Sequence, residues 1–475
     1  MPLFDSSSHR GPAGPGGPGA PGPSRAPGSD SGSGSGSPPC ASTCIIGAGS
    51  SGLTVLKAFV EAGLPAVCFE RGSKVGGNWV FDNDNGQSRI YRSLHINTSR
   101  SRMQFSDFPM PGDYPDYAGH EQVARYFEAY AEAFRLEPHI RFRTAVEHVA
   151  PAPGGYLVRT EAGDEHVFGS VVVANGHHWD PAFPEPPPPG SFDGLSLHSH
   201  EYLSPTEPLQ LVGRRVLVVG IGNSAVDIAS ELARAGAQVS LSVRRGAWVL
   251  PKYVFGRPID QPGIIPESLP DAVKTGIAEL WYRLVLGRPD AHGLPEPDHR
   301  LGHAHPTLSD ELLPLLREGT IRPRPAIAAL AGRRVRFADG SEAELDAIVY
   351  CTGYKVSFPF FDASFVSAPD NELPLYLRCF HLEHRGLMFA GLAQPLGAIM
   401  PLVEAQGKLF ASYVRGDYEL PEPSEMQQRT AREREHVRRR FVASRRHTMQ
   451  VDFDRYLADL ARELRAGRNR SGRRR

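Results

Sequence analysis

Two segments of this chain repeat one pattern. VLVVGIGNSAVDIA, Val216–Ala229, is an apolar run that breaks at a glycine pair and resumes with helical spacing. CIIGAGSSGLTVL, Cys44–Leu56, does the same near the start of the chain. Each reads as a buried strand, a tight turn and a helix, the opening of a unit that binds a dinucleotide. Both are followed by a second strand, PAVCFE ending at Glu70 and QVSLSVRR ending at Arg245, and by alternating segments typical of a β-meander. A chain that restarts in this way predicts an α/β fold with two related Rossmann-like domains side by side.

The first turn, Gly47, Gly49 and Gly52 with Ser50 and Ser51 between them, fits G-x-G-x-x-G. The first glycine permits the turn, the second lets backbone approach a pyrophosphate, and the third brings helix and strand together. The helix N-terminus then faces the negative charge. Glu70 ends the next strand where a ribose diol would lie; an exposed strand-end acid is the plainer alternative. The second turn has Gly220 and Gly222, with Ala225 in the third place and Asn223, Ser224, Val226 and Asp227 around it. Its next strand ends in Ser242, Arg244 and Arg245 rather than an acid. An acid repels a 2′-phosphate and arginine binds one, so this site favours NADPH over NADH, unless the arginines form only a solvated loop. A flavin accepts two electrons and releases them to dioxygen. FAD in the first site and NADPH in the second is the economical assignment.

Composition sets the limits. The 475 residues allow two or three domains, and a formal net charge of −1 gives no reason to expect nucleic acid. Cys40, Cys44, Cys68, Cys351 and Cys379 are scattered singly, which argues for a reducing, cytoplasmic setting and against a metal site or a redox pair. The Gly/Pro/Ser-rich segment 1–42 is expected to be disordered. No secretory signal is expected, and LMFAGLAQPLGAIMPLV is too interrupted to span a membrane. The boundaries expected are 43–205 for the first part of an FAD-binding domain, ending in the proline-rich linker PAFPEPPPPGSF. An NADPH-binding domain follows at 206–330, then the second FAD part at 331–445. A basic helix or tail at 446–475 is expected to be solvated and frayed.

Just after that linker, FDGLSLHSHEY places Phe192, Gly194, His198 and Tyr202 in the pattern F-x-G-x-x-x-H-x-x-x-Y. This resembles the fingerprint of the flavin-containing monooxygenases, which lies between their FAD and NADPH domains. GAGSSGL, GGNW, the SLHIN segment, FSDFPMP, GHH, GIGNSAVD, SVRRGAWV, CTGY and AQPLGAIMP resemble the same family in its order, from Cys44 to Tyr418. The resemblance is to the soluble, bacterial-type members, and it implies a three-layer ββα, glutathione-reductase-like arrangement. It also implies roles. Gly47–Gly52, Glu70, Asn78, Trp79, Asn97, Thr98 and Gln394 match FAD positions, with Asn97 beside the isoalloxazine as the residue closest to the chemistry. Gly220–Asp227 and Arg244 match NADP positions.

The mechanism implied is hydride transfer from NADPH to FAD, then reaction with dioxygen to give a C4a-hydroperoxyflavin shielded by retained NADP⁺. A soft nitrogen or sulfur of a small amine or sulfide takes up the distal oxygen. His198 and Tyr202 are expected to orient the domains rather than move protons. Leu203 stands where amine- and sulfide-oxidising members carry lysine. Baeyer–Villiger relatives, which act on ketones, carry tryptophan in place of Tyr202, so Tyr202 leans toward heteroatom oxygenation. A flavin disulfide reductase or NADPH oxidase, and a non-turning-over FAD-binding sensor, remain as other readings. The arginine-rich end gives no reason to expect the membrane anchor of many animal members. The sequence is compatible with a homodimer.

Overall fold

The computed structural model describes residues 42–474 apart from 262, 263, 267 and 443–446. The segment expected to be disordered lies outside the described residues, except for Ser42. The described residues form one compact unit.

Two sheets, one mixed with a parallel centre and one wholly parallel, carry the architecture. The first has seven strands, in the order Leu375–Tyr376, Phe380–His381, Leu387–Phe389, Ser170–Val173, Thr43–Ile46, Ala66–Phe69 and Ile140–Arg141. Its central pairs are parallel, and TCII and SVVV, buried at every position, form the middle. Strands buried on both faces are apolar throughout, which is why these runs show no alternation. An antiparallel meander, Val146–Ala152, Gly155–Thr160 and Glu165–Phe168, precedes the SVVV strand. The sheet draws on both ends of the chain, as a domain interrupted by another requires.

The second sheet is parallel throughout: Leu195–His198, Ala347–Tyr350, Arg215–Val219, Gln238–Ser242 and Ile321–Arg324. A further meander, Ile327–Gly332, Arg334–Phe337 and Glu342–Glu344, pairs with Gly190–Phe192. The expected limits of 206 and 330 therefore divide strands that belong together. By strand pairing this part runs from Gly190 to Tyr350, and the fingerprint segment begins it rather than ending the first part. The linker prolines obscure this, because parallel pairing joins residues far apart in sequence.

The basic C-terminus is not frayed. Phe453–Arg474 is a 22-residue helix that packs on the helix Met400–Arg415. Tyr456 and Leu460 are buried, and so is Glu463, which accepts from Arg429 Nη1 at 2.7 Å and also pairs with Arg470. Its apolar stripe, spaced as a helix face, outweighs the arginines that suggest a solvated tail. Gly467 makes room for Tyr418, whose ring a Cβ would meet at 2.0 Å. The charged stretch from Arg429 is helical within Pro423–Arg440. No helix among the described residues is long and apolar enough to cross a membrane.

Candidate active site

The first glycine turn leads from Thr43–Ile46 into the helix Ser50–Glu61. Gly47 has φ of +100°, and a Cβ there would sit 2.7 Å from Ala174 O. At Gly52 a Cβ would fall 1.8 Å from Gly47 O, so helix and turn touch at backbone distance. Gly49 caps the helix without a side chain, which leaves its first N–H groups facing outward, the arrangement that receives a phosphate. Glu70 comes to this turn from the next strand: its Oε2 accepts from Ala48 N at 2.6 Å and its Oε1 from Gly72 N at 2.8 Å. Burial pushes its carboxyl upward, and the two backbone donors pull it back. Each oxygen keeps a second lone pair for a ribose hydroxyl.

Two further segments close over the turn. GGNW forms a short 3₁₀ turn, Gly77–Trp79, in which a Cβ on Gly77 would lie 3.2 Å from Gly49 Cα. Asn78 Nδ2 donates to His178 O at 3.3 Å, and Trp79 is half-buried against the main core. Gly391 crosses the first helical turn so closely that a Cβ would meet Ser51 Oγ at 2.3 Å, and it leads on to Gln394. Asn97 and Thr98 lie in a loop held on either side. Ile96 N donates to Ala118 O at 3.0 Å, and Ser99 N donates to Asp260 Oδ2 at 2.7 Å. Asn97 Oδ1 is buried and has no hydrogen-bond partner among the described residues. A cofactor that offered it a donor would relieve the cost of that burial.

The second turn repeats the geometry. Gly220 has φ of +130°, a Cβ there would sit 2.6 Å from Cys351 O, and Ala225 packs beside it. Gly222 caps the helix Asn223–Arg234, again without a side-chain cap. Not every residue expected at NADP faces a ligand. Val226 is fully buried in the core and its N–H donates to Gly222 O, so it is a packing residue. Ala225 is also buried. Asn223 Oδ1 accepts from Leu308 N at 2.9 Å, and Asp227 Oδ2 accepts from Tyr91 OH at 2.8 Å. Ser224 and the backbone of this turn remain half-exposed. Arg244 is exposed just beyond the strand Gln238–Ser242 and has no ion-pair partner among the described residues, whereas Arg245 is tied to Asp298 at 2.6 Å. The two turns thus provide two separate anion cradles, which fit FAD and a phosphorylated nicotinamide dinucleotide.

Residues 41–470 match the family model described as flavin-binding monooxygenase-like. The chain belongs to this family. Flavin-containing monooxygenase 5 of Rattus norvegicus is 38% identical over 86% of this chain and 80% of its own length. Dimethylaniline monooxygenase [N-oxide-forming] 2 of the same organism is 36% identical over 88% and 82%. Among solved structures, S-allyl-L-cysteine S-oxygenase from Allium sativum superposes with a TM-score of 0.66 at 26% identity, covering 89% of this chain and 88% of that one. This flavin monooxygenase therefore uses FAD, NADPH and dioxygen.

In the monooxygenase the fingerprint residues are packed within the protein, with His198 Nε2 buried and unpartnered among the described residues. Gly194 leaves space for the ring of Phe192, which a Cβ would meet at 2.5 Å. His198 is fully buried; its Nδ1 accepts from His200 N at 3.1 Å, and burial pushes its pKa down to about 4. It is neutral at physiological pH, with the proton on Nε2. Tyr202, also fully buried, donates to Glu231 Oε2 at 2.8 Å, and burial drives its pKa far upward. Neither is set to move a proton. The described cysteines are all free, and burial raises the thiols of Cys44, Cys68, Cys351 and Cys379, contrary to what a reactive dithiol needs.

The sequence reading missed the residues that brace the Asn97 loop. Tyr91 reaches Asp227, Lys252 Nζ contacts His95 Nε2, Tyr117 OH donates to Lys252 O at 2.7 Å, and Asp260 holds Ser99. Lys252 and Asp260 come from a loop far along the chain, which carries no motif to announce this contact.

Proposed function

We propose that this monooxygenase oxygenates a soft nucleophilic nitrogen or sulfur of a small molecule, with FAD on Gly47–Gly52 and NADPH on the turn that begins at Gly220. The observation that carries the residue assignment is Asn97. Its Oδ1 is buried and unpartnered, in a loop braced by Ala118 on one side and Asp260 on the other, an acceptor that a bound group would satisfy. When bound, FAD reduced by NADPH activates dioxygen and supplies one of its oxygen atoms.

The chain's own residues bind, orient and shield. Glu70 receives the ribose of FAD, Asn78, Trp79, Thr98 and Gln394 border the flavin, and Arg244 receives the 2′-phosphate of NADPH. Asn97 positions the two cofactors against each other. A nucleophile that attacks with a free lone pair needs no general base, which agrees with a neutral His198 and a protonated Tyr202. Relatives named for N-oxide formation and for S-oxygenation support the same substrate class. The free thiols of the described cysteines support a cytoplasmic setting.

The test is a product assay. With NADPH and air, a tertiary amine and a thioether are expected to give N-oxide and sulfoxide. Conversion of a cyclic ketone to a lactone as the main reaction contradicts the substrate class.

A further inference from the structure

Arg324 ends the strand Ile321–Arg324, and its side chain is only half-buried. Its Nε has no hydrogen-bond partner, and its guanidinium forms no ion pair among the described residues. Asp339, which feels its charge, is already engaged: Ser341 N and Oγ donate to Asp339 Oδ1 at 2.9 and 2.7 Å. The guanidinium lies 5.4 Å from the centre of the Phe337 ring, a contact that holds it in place. A guanidinium fixed in this way, with its donors unmet by the protein, is ready for an external anion.

Its place in the fold says which anion. In the first domain Gly47 N donates to Phe69 O at 2.8 Å, Phe69 stands opposite Arg141, and Glu70 N donates to Arg141 O at 2.9 Å. The second domain repeats the row. Gly220 N donates to Ser242 O at 3.0 Å, Ser242 stands opposite Arg324, and Val243 N donates to Arg324 O at 2.8 Å. Val243 therefore occupies the position of Glu70, the acid proposed for the ribose of FAD, and Arg244 follows it directly. Ser242 Oγ donates to Pro325 O at 2.9 Å, which ties the two strand ends together. Neighbouring strands lie about 5 Å apart, so Arg324 stands one strand away from the ribose position. The first row places an acid at that position; the second places none there and flanks it with Arg244 and Arg324.

We propose that Arg324 is a second guanidinium on the adenosine 2′-phosphate of NADPH, reaching it from the neighbouring strand while Arg244 reaches it from the strand end. A phosphate monoester carries about two negative charges at pH 7, and a single guanidinium matches one of them. Two guanidinium groups match both through charge-assisted hydrogen bonds. Arg324 determines specificity between nicotinamide donors: it meets the phosphate and touches no reacting atom. The proposal rests on the reading that puts NADPH on the second turn with Arg244 at its phosphate. It differs from a packing role on Phe337, which would matter equally to NADPH and NADH.

The experiment uses the full-length, FAD-loaded chain as wild type, Arg324→Gln, Arg324→Met and Arg244→Ala. Arg322→Gln is the control, an exposed arginine earlier on the same strand. Calorimetric titration reads the affinities for adenosine 2′,5′-bisphosphate and adenosine 5′-monophosphate, which differ only in the 2′-phosphate. Steady-state assays read kcat/KM for NADPH and NADH. For both Arg324 variants, bisphosphate affinity and kcat/KM for NADPH are expected to fall about tenfold or more, with the monophosphate and NADH unchanged. A loss shared equally by the two nucleotides overturns the proposal, as does no loss. An equal selective loss in Arg322→Gln also overturns it, because the effect would then be that of any nearby positive charge. Failure of both Arg324 variants to fold overturns it as well, because the guanidinium would then serve the protein rather than the cofactor. If Arg244→Ala abolishes the preference for the bisphosphate while the Arg324 variants keep it, Arg324 alone is misassigned. If no variant alters that preference, the reading of the second turn as the NADPH site is wrong and the proposal falls with it.

Discussion

The hydroxyl of Tyr91 donates to Oδ2 of Asp227 at 2.8 Å, joining the segment that leads to Asn97 to the helix of the second glycine turn. Burial raises the Asp227 carboxyl, and His95, the Tyr91 hydroxyl and Lys252 offset this in that order. The segment leading to the Asn97 loop is thus held from the helix of the second glycine turn, and the loop itself by Ala118. Tyr91→Phe removes the donor and leaves a half-buried carboxylate short of one hydrogen bond. The expected loss is about 1–3 kcal/mol of stability in urea denaturation, with a raised KM for NADPH and unchanged flavin content.

Gly52 is held by contact as well as by turn geometry. A methyl group at this position would lie 1.8 Å from Gly47 O, backbone against backbone, so the helix must move away from the turn. Gly52→Ala is expected to purify without bound FAD, visible as loss of yellow colour. The same protein retaining full flavin occupancy would place the cofactor elsewhere.

Arg244 is exposed beyond the strand Gln238–Ser242, while its neighbour Arg245 is held by Asp298. Arg244→Ala is expected to lower kcat/KM for NADPH tenfold or more, which is about 1.4 kcal/mol. The value for NADH should stay the same, because NADH lacks the 2′-phosphate. Parallel steady-state assays with the two donors make the comparison.

His198 predicts an acid limb in stability. Its pKa in the fold is about 4, below the ordinary 6.5, so the unfolded chain takes up the proton first. Stability is unaffected above about pH 6.5 and is lost as pH falls from there toward 4, by roughly 3 kcal/mol for this group. His198→Gln is expected to reduce the difference between midpoints measured at pH 7 and pH 4.5.

What the sequence made legible is what lies close together along the chain. Each strand–turn–helix is local, so Gly47, Gly52 and Gly220 announce their turns, and Glu70 follows by one strand. Parallel pairing is not local. That is why Leu195–His198, which closes the edge of the second sheet, reads as linker until Ala347–Tyr350 is seen beside it. The C-terminal helix misleads by composition: its arginines suggest solvent, while Tyr456, Leu460 and Glu463 fix it to the core. Within the second turn the motif names seven neighbouring positions alike, but helical geometry turns Val226 inward and leaves Ser224 at the surface. Asp260 and Lys252 carry no motif, and only the folded loop brings them to Asn97.

The central claim is that this chain holds a flavin and a nicotinamide dinucleotide at once, on two separate glycine turns. Calorimetric titration of the FAD-loaded protein with NADP⁺, with released FAD measured after each addition, tests it most directly. One NADP⁺ is expected to bind per flavin with no FAD set free. Displacement of FAD in step with NADP⁺ binding would mean a single shared site and would contradict the account.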